Sequence, residues 1–194
     1  MKAGRFLAGL VVGLGLAGAA RAQELSISLA AGSFSASQAA YRRIYGSGVP
    51  LAADVWLKLK GNIGFSAGFS RLTDKGRAVP LGEDGAEYPL KFRRTSIPVI
   101  AFYQIDLNAV AVRFGAGLCF HRYEETWETV DLGFKGNKAS PRFVIAASVA
   151  LLGRFSLFGS LTYDTIPTGA GSPLVQAVNL GGLQLLGGVV FRIF

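Results

Sequence analysis

The chain has 194 residues, a length that favours one domain. It is 51% hydrophobic, its mean hydropathy is +0.39 and only 16% of residues are charged, against ~25% in ordinary soluble domains. That composition excludes a disordered chain and fits a membrane protein. The net charge of +8 contains no Lys/Arg run, so nucleic-acid binding has no support, and the lone Cys119 rules out an internal disulfide.

In chain order, MKAGR followed by FLAGLVVGLGLAGAA and the small-x-small site Ala20-Arg21-Ala22 reads as a cleavable signal peptide over residues 1–22. The apolar run is shorter than the ~20 residues of a membrane-spanning helix. Cleavage removes Lys2, Arg5 and Arg21 from the 20 basic residues, leaving 17 against 12 acidic ones in residues 23–194.

Period-two alternation then recurs eight times, and a period of two means strands. Leu25, Ile27, Leu29 and Ala31 oppose Glu24, Ser26 and Ser28. Leu51 to Leu59 oppose Asp54, Trp56 and Lys58, and Ile63 to Phe69 oppose glycines and serines. SIPVIAFYQI (96–105) is apolar on both faces, and Pro98 predicts a bulge or local irregularity there because it removes a ladder hydrogen bond. Val110 to Phe120 oppose Arg113, Gly115, Gly117, Cys119 and His121. Phe143–Leu151 and Phe155–Tyr163 make a hairpin through Gly153-Arg154, and Leu183–Ile193 form the last strand. Tight turns are expected at Lys60-Gly61, Asp106-Leu107 and Gly153-Arg154. Long polar links are expected at about Ser33–Gly48, Thr73–Pro89, Arg122–Ser140 and Asp164–Asn179. Alternating short and long connections describe an up-and-down meander with its elaboration at one end.

A closed eight-stranded sheet can turn its apolar face inward around a ligand, or outward to lipid. Three features favour lipid. The less apolar face carries glycine, serine and charges of both signs. The runs of about 9–12 residues match the ~9–11 that cross a bilayer. The sequence ends Phe191-Arg192-Ile193-Phe194, with a terminal aromatic. The expected fold is therefore an all-β, eight-stranded, antiparallel up-and-down transmembrane β-barrel. Its lumen would hold a structural polar network of Glu24, Asp54, Lys58, Arg113, Arg142, Arg154, Asp164 and Arg192, because a buried guanidinium such as Arg113 requires a partner.

IPVIAFYQIDLNAVAVRFGAGLCFHRYEE, YRRIYGSG and VNLGGLQLLGGVVFRIF together resemble the small eight-stranded outer-membrane β-barrel family, the OmpA/OmpX/OmpW-like group, over nearly all of residues 23–194. The resemblance implies residence in the outer membrane of a Gram-negative-type envelope, in contact with its lipid, as a monomer. It also implies insertion by the barrel-assembly machinery through Phe191, Ile193 and Phe194. The function it implies is structural or surface-binding, with specificity in the four long outer loops and an extracellular ligand left open.

Alternatives are a narrow conduit for small hydrophobic or anionic molecules, admitted beside Trp56, Phe158 and Pro98, and a lipid-modifying or hydrolytic barrel enzyme with His121 as its base. The preferred reading is no enzyme, no cofactor and no metal. His121 and Cys119 share a face, but a closed zinc site takes four such ligands. The acidic stretches Glu124–Asp131 and Gly82–Glu87 lack the D-x-[DN]-x-[DN]-G calcium-loop pattern and read as solvated loop.

Overall fold

Eight strands close on themselves in a computed structural model of the chain, which describes residues 22–46, 48–78, 88–128, 133–167 and 179–194. They are β1 (Ala22–Ala36), β2 (Val49–Leu59), β3 (Ile63–Ala78), β4 (Tyr88–Leu107), β5 (Val110–Trp127), β6 (Gly133–Leu152), β7 (Phe155–Asp164) and β8 (Gly182–Arg192). Every neighbour is antiparallel in chain order, and β1 pairs β8 from Ser26↔Arg192 to Ala36↔Gly182, which closes the ring. The predicted signal segment 1–22 lies outside the described residues except for Ala22.

Burial is inside-out. On the outward positions Leu29 is 58% exposed, Phe114 46% and Leu185 59%, while the inward Ser28 is fully buried. Along β5 the outward apolar run Val110–Phe120 covers about 25 Å of height, at a rise of ~3.3 Å per residue and a tilt near 40°, the thickness of a barrel's lipid-facing band. Only a hydrocarbon surround favours that distribution, because in water so much exposed apolar surface would cost free energy on every strand. The small inward residues make room: a Cβ on Gly115 would stand 2.7 Å from Ile100 Cγ2 and 2.9 Å from Val144 Cγ1.

The structure departs from the sequence expectations in three places. First, much of the expected polar links is strand. β3, β4, β5 and β6 run on to Ala78, from Tyr88, to Trp127 and from Gly133, so one half of the wall stands above the lipid band as an overhang. Second, the first link contains a short helix, α1 (Ala39–Tyr45). Tyr41, Ile44 and Tyr45 lie at helical spacing on one face, and Gly46 ends the helix at φ 69° while its N–H bonds back to the Arg42 carbonyl. Third, one turn sits later than expected: Asn108-Ala109 rather than Asp106-Leu107 makes the β4–β5 turn, whereas Lys60-Gly61 lies in the β2–β3 turn as expected, with positive φ at Gly61 and Asn62. At Pro98 the β3–β4 ladder is interrupted, with pairing absent between Ala67↔Val99 and Ser70↔Ser96, yet the register does not shift.

Candidate functional site

The lumen is filled in stacked layers. At the end with short turns, Arg113 is 2% exposed and lies across the β4–β5 pair from Gln104, whose Oε1 accepts its Nε–H at 2.7 Å. Gln104 Nε2 donates to Asp106 Oδ1 at 2.6 Å, and Asp106 Oδ2 also takes the Lys58 ammonium. Glu24 Oε1 sits 3.6 Å from Arg113 and 3.8 Å from Arg192. The Arg113 guanidinium stacks 5.0 Å over the Trp56 ring. Above it Trp56, Ile100, Phe102, Val144, Ala146, Phe158 and Val190 pack into an apolar disc, with Trp56 Nε1 donating to Ser28 Oγ at 2.9 Å.

The next layer is ionic. β6 and β7 place Arg142 directly opposite Asp164, and the guanidinium donates through Nε at 3.1 Å and through a second, shorter bond to the same carboxylate oxygen. Both bonds converge on Oδ2 and bring the opposite charges into contact, while the buried Oδ1 has no hydrogen-bond partner among the described residues. His121 lies beside it, Nδ1 2.8 Å from Ser96 Oγ and Nε2 2.9 Å from Ser140 Oγ, with Asp164 Oδ2 3.9 Å away. Arg94 is buried above, donating to the Leu180 carbonyl at 2.7 Å with its guanidinium 4.4 Å from the Phe34 ring centroid.

The mouth is sealed by Phe34, Tyr41, Tyr45, Leu72, Leu90, Phe92, Tyr123, Ile166 and Leu180. α1 is latched there: Tyr41 donates to Asp74 at 2.7 Å, and Tyr45 donates to Glu125, which also accepts from Trp127 Nε1 at 3.0 Å. Burial pushes both tyrosine hydroxyls well above their ordinary range, and the neighbouring carboxylates add to the shift. Burial likewise raises the Asp74 carboxyl.

Of the predicted network, Glu24, Lys58, Arg113 and Arg192 therefore meet in the bottom layer and Arg142 with Asp164 in the ionic layer. Asp54 faces inward over Gly68 but has no ion-pair partner among the described residues. Arg154 is corrected: it sits in the exposed β6–β7 turn, where a two-residue connection points it to water, and donates to the Ile193 carbonyl at 3.0 Å. Gln104, Asp106, Arg94, Ser96 and Ser140 belong to the network although the sequence reading omitted them.

Two chemistries can be weighed on this geometry. The ligand atoms of Cys119, His121 and Asp164 all lie within 4.8 Å of one another. Asp164 is already neutralised by the Arg142 fork, and a dication there would stand against that fixed guanidinium. A Ser–His–Asp relay would need the carboxylate on the imidazole nitrogen remote from the serine. Here Asp164 lies on the Nε2 side, remote from Ser96 on Nδ1, but at 3.9 Å it makes no hydrogen bond to the ring; Ser140 holds Nε2 at 2.9 Å instead, and all four side chains are buried. The arrangement is that of an imidazole hydrogen-bonded on both nitrogens inside a packed core.

No protein-family model matches the sequence, and neither does any curated protein. Solved structures do. OprG from Pseudomonas aeruginosa superposes with a TM-score of 0.65 at 10% identity, covering 89% of this chain and 97% of that one. A major outer membrane protein from Thermus thermophilus gives 0.60 at 15% identity over 87% and 99%. Neisserial surface protein A gives 0.54 at 16% identity over 87% and 95%. With its lipid-facing band and sealed polar interior, the chain has the fold of the small eight-stranded outer-membrane β-barrels.

Proposed function

We propose that the protein is an outer-membrane barrel closed to passage, with a structural or surface-binding role exercised at its loop end. One observation carries this reading: the lumen is blocked at successive heights by the Arg113 network, the Trp56–Phe102–Phe158 disc, the Arg142–Asp164–His121 layer and the docked α1. An eight-stranded barrel is only wide enough for its side chains to fill. The space beside Asp54, Trp56 and Pro98, where the conduit reading would admit a small molecule, amounts to about 30 Å³, room for roughly one water. Planar-bilayer recording tests the proposal. Purified protein is expected to give no steady conductance, and open steps of reproducible size would reinstate the conduit.

The same reading makes the chain a monomer handed to the barrel-assembly machinery by its last strand. Phe191 packs against Phe155 at 5.1 Å on the outer surface, and the backbone of Ile193 and Phe194 bonds to Leu25. Loss of Phe194 is expected to lower the yield of heat-modifiable protein in the membrane fraction, and an unchanged yield would remove that assignment.

A further inference from the structure

The overhang has two faces of different chemistry. Inward, its acidic side chains Asp74 and Glu125 are committed to Tyr41 and Tyr45. Outward, it carries Arg71, Lys75, Lys91, Arg93, Arg122 and Lys135, and the acid paired among them in register is Glu124, which stands opposite both Arg93 and Lys135 with its carboxylate 2.9 Å from Lys135. Lys75 stands directly opposite Lys91. Like charges facing each other across a ladder are destabilising unless an anion sits between them.

The height of these residues is as informative as their sign. Arg71 is the next outward residue after Phe69, and Arg122 the next after Phe120, so the cations begin where the lipid-facing band stops. At that boundary lies an open hollow of about 520 Å³, with Ile97 and Phe120 below and Thr95, Arg122 and Asn137 above. Ala139, opposite Phe120, is too small to fill it. An apolar floor under hydroxyl, amide and guanidinium groups matches a molecule with acyl chains below and an anionic head above. At the same level the opposite half of the wall offers Ser33, Ser35, Tyr163 and Leu183.

We propose that the outward face of the β3–β6 overhang docks the phosphorylated headgroup of an outer-leaflet glycolipid, with Arg122 and Arg93 on the phosphates and the lipid's chains against Ile97 and Phe120. Arg is suited to this because its planar fork meets phosphate oxygens two at a time. The inference rests on the outer-membrane reading above.

The test uses residues 23–194 folded in detergent micelles, checked by a band that shifts on boiling, and then native mass spectrometry with bisphosphorylated lipid A or the same lipid stripped of phosphate. Wild type is expected to retain the phosphorylated lipid at least about tenfold better. Arg93→Ala with Arg122→Ala is expected to weaken retention by roughly 25-fold, about fivefold per charge. Ala139→Trp, which fills the hollow and keeps every charge, is expected to weaken it as well. Equal retention of both lipids, or a double variant that folds and binds like wild type, overturns the proposal. So does displacement of the lipid by heparin at matched charge, which would assign the face to a soluble polyanion. A chain with no heat-shifted band would instead overturn the membrane reading, and the docking with it.

Discussion

The two halves of the barrel wall obey the same alternation within the membrane and part company above it. β7, β8, β1 and β2 stop near the edge of the lipid-facing band, at Asp164, Gly182, Ala36 and Val49. β3 to β6 continue, with Leu72, Leu90, Phe92 and Tyr123 turned in to hold α1 and basic residues turned out. The overhang is thus a second amphipathic sheet whose solvent is water and headgroups instead of hydrocarbon. Below the boundary the bilayer sets which side chains face out; above it the helix in the mouth sets which ones face in.

The largest effect is expected where both halves depend on one pair. Asp164→Ala strands the Arg142 guanidinium in the lumen and should cost about 3–5 kcal/mol, read from urea unfolding in micelles. A cost below about 1 kcal/mol would mean that the ionic layer does not bind the walls together. Next comes a direct contrast between the two solvents on a single strand. Ala116→Arg, in the middle of the outward apolar run of β5, should cost about 2–4 kcal/mol, whereas Thr126→Arg on the overhang should cost ~0–1 kcal/mol. Equal costs would erase the boundary between lipid band and overhang.

Smaller effects belong to the mouth. Tyr41→Phe leaves the Asp74 carboxylate without its donor and should cost about 1–3 kcal/mol, with earlier proteolysis near α1 and an unchanged membrane core. The weakest is a pH effect. Both latch tyrosines titrate above their ordinary value of 10.0 when docked, so the docked state is favoured below that value and loses stability as pH climbs past it. Protease sensitivity of α1 should therefore rise in alkali before the barrel unfolds, and an α1 that stays protected until global unfolding would contradict the latch.

The sequence made the membrane portion legible because lipid imposes a strict apolar/polar alternation, and Val110 to Phe120 or Leu51 to Leu59 have little freedom to read otherwise. The overhang was opaque for the complementary reason. Arg71-Leu72-Thr73-Asp74-Lys75 is polar on one face and mixed on the other, so its period of two is faint even though the ladder continues. Tyr41, Ile44, Tyr45 and the following Gly46 did carry a helix signal, overlooked among loop residues. In the lumen, Glu24 was a foreseeable partner for Arg113 but Gln104 was not. A turn centred on Asp106-Leu107 would set Ile100 opposite Arg113, and the actual turn at Asn108-Ala109 brings Gln104 there instead. Arg142 and Asp164 were both visible as inward charges; their pairing depends on the register of two strands.

Because the seam joins Ser26 to Arg192, the ring cannot be sealed until the strand that ends at Arg192 has been made. Any partial sheet would present two unsatisfied edges to hydrocarbon, where bare peptide groups cost several kcal/mol each. Half a cylinder is therefore no resting place. Insertion and closure have to proceed together, and contacts this remote along the chain make that joint step slow.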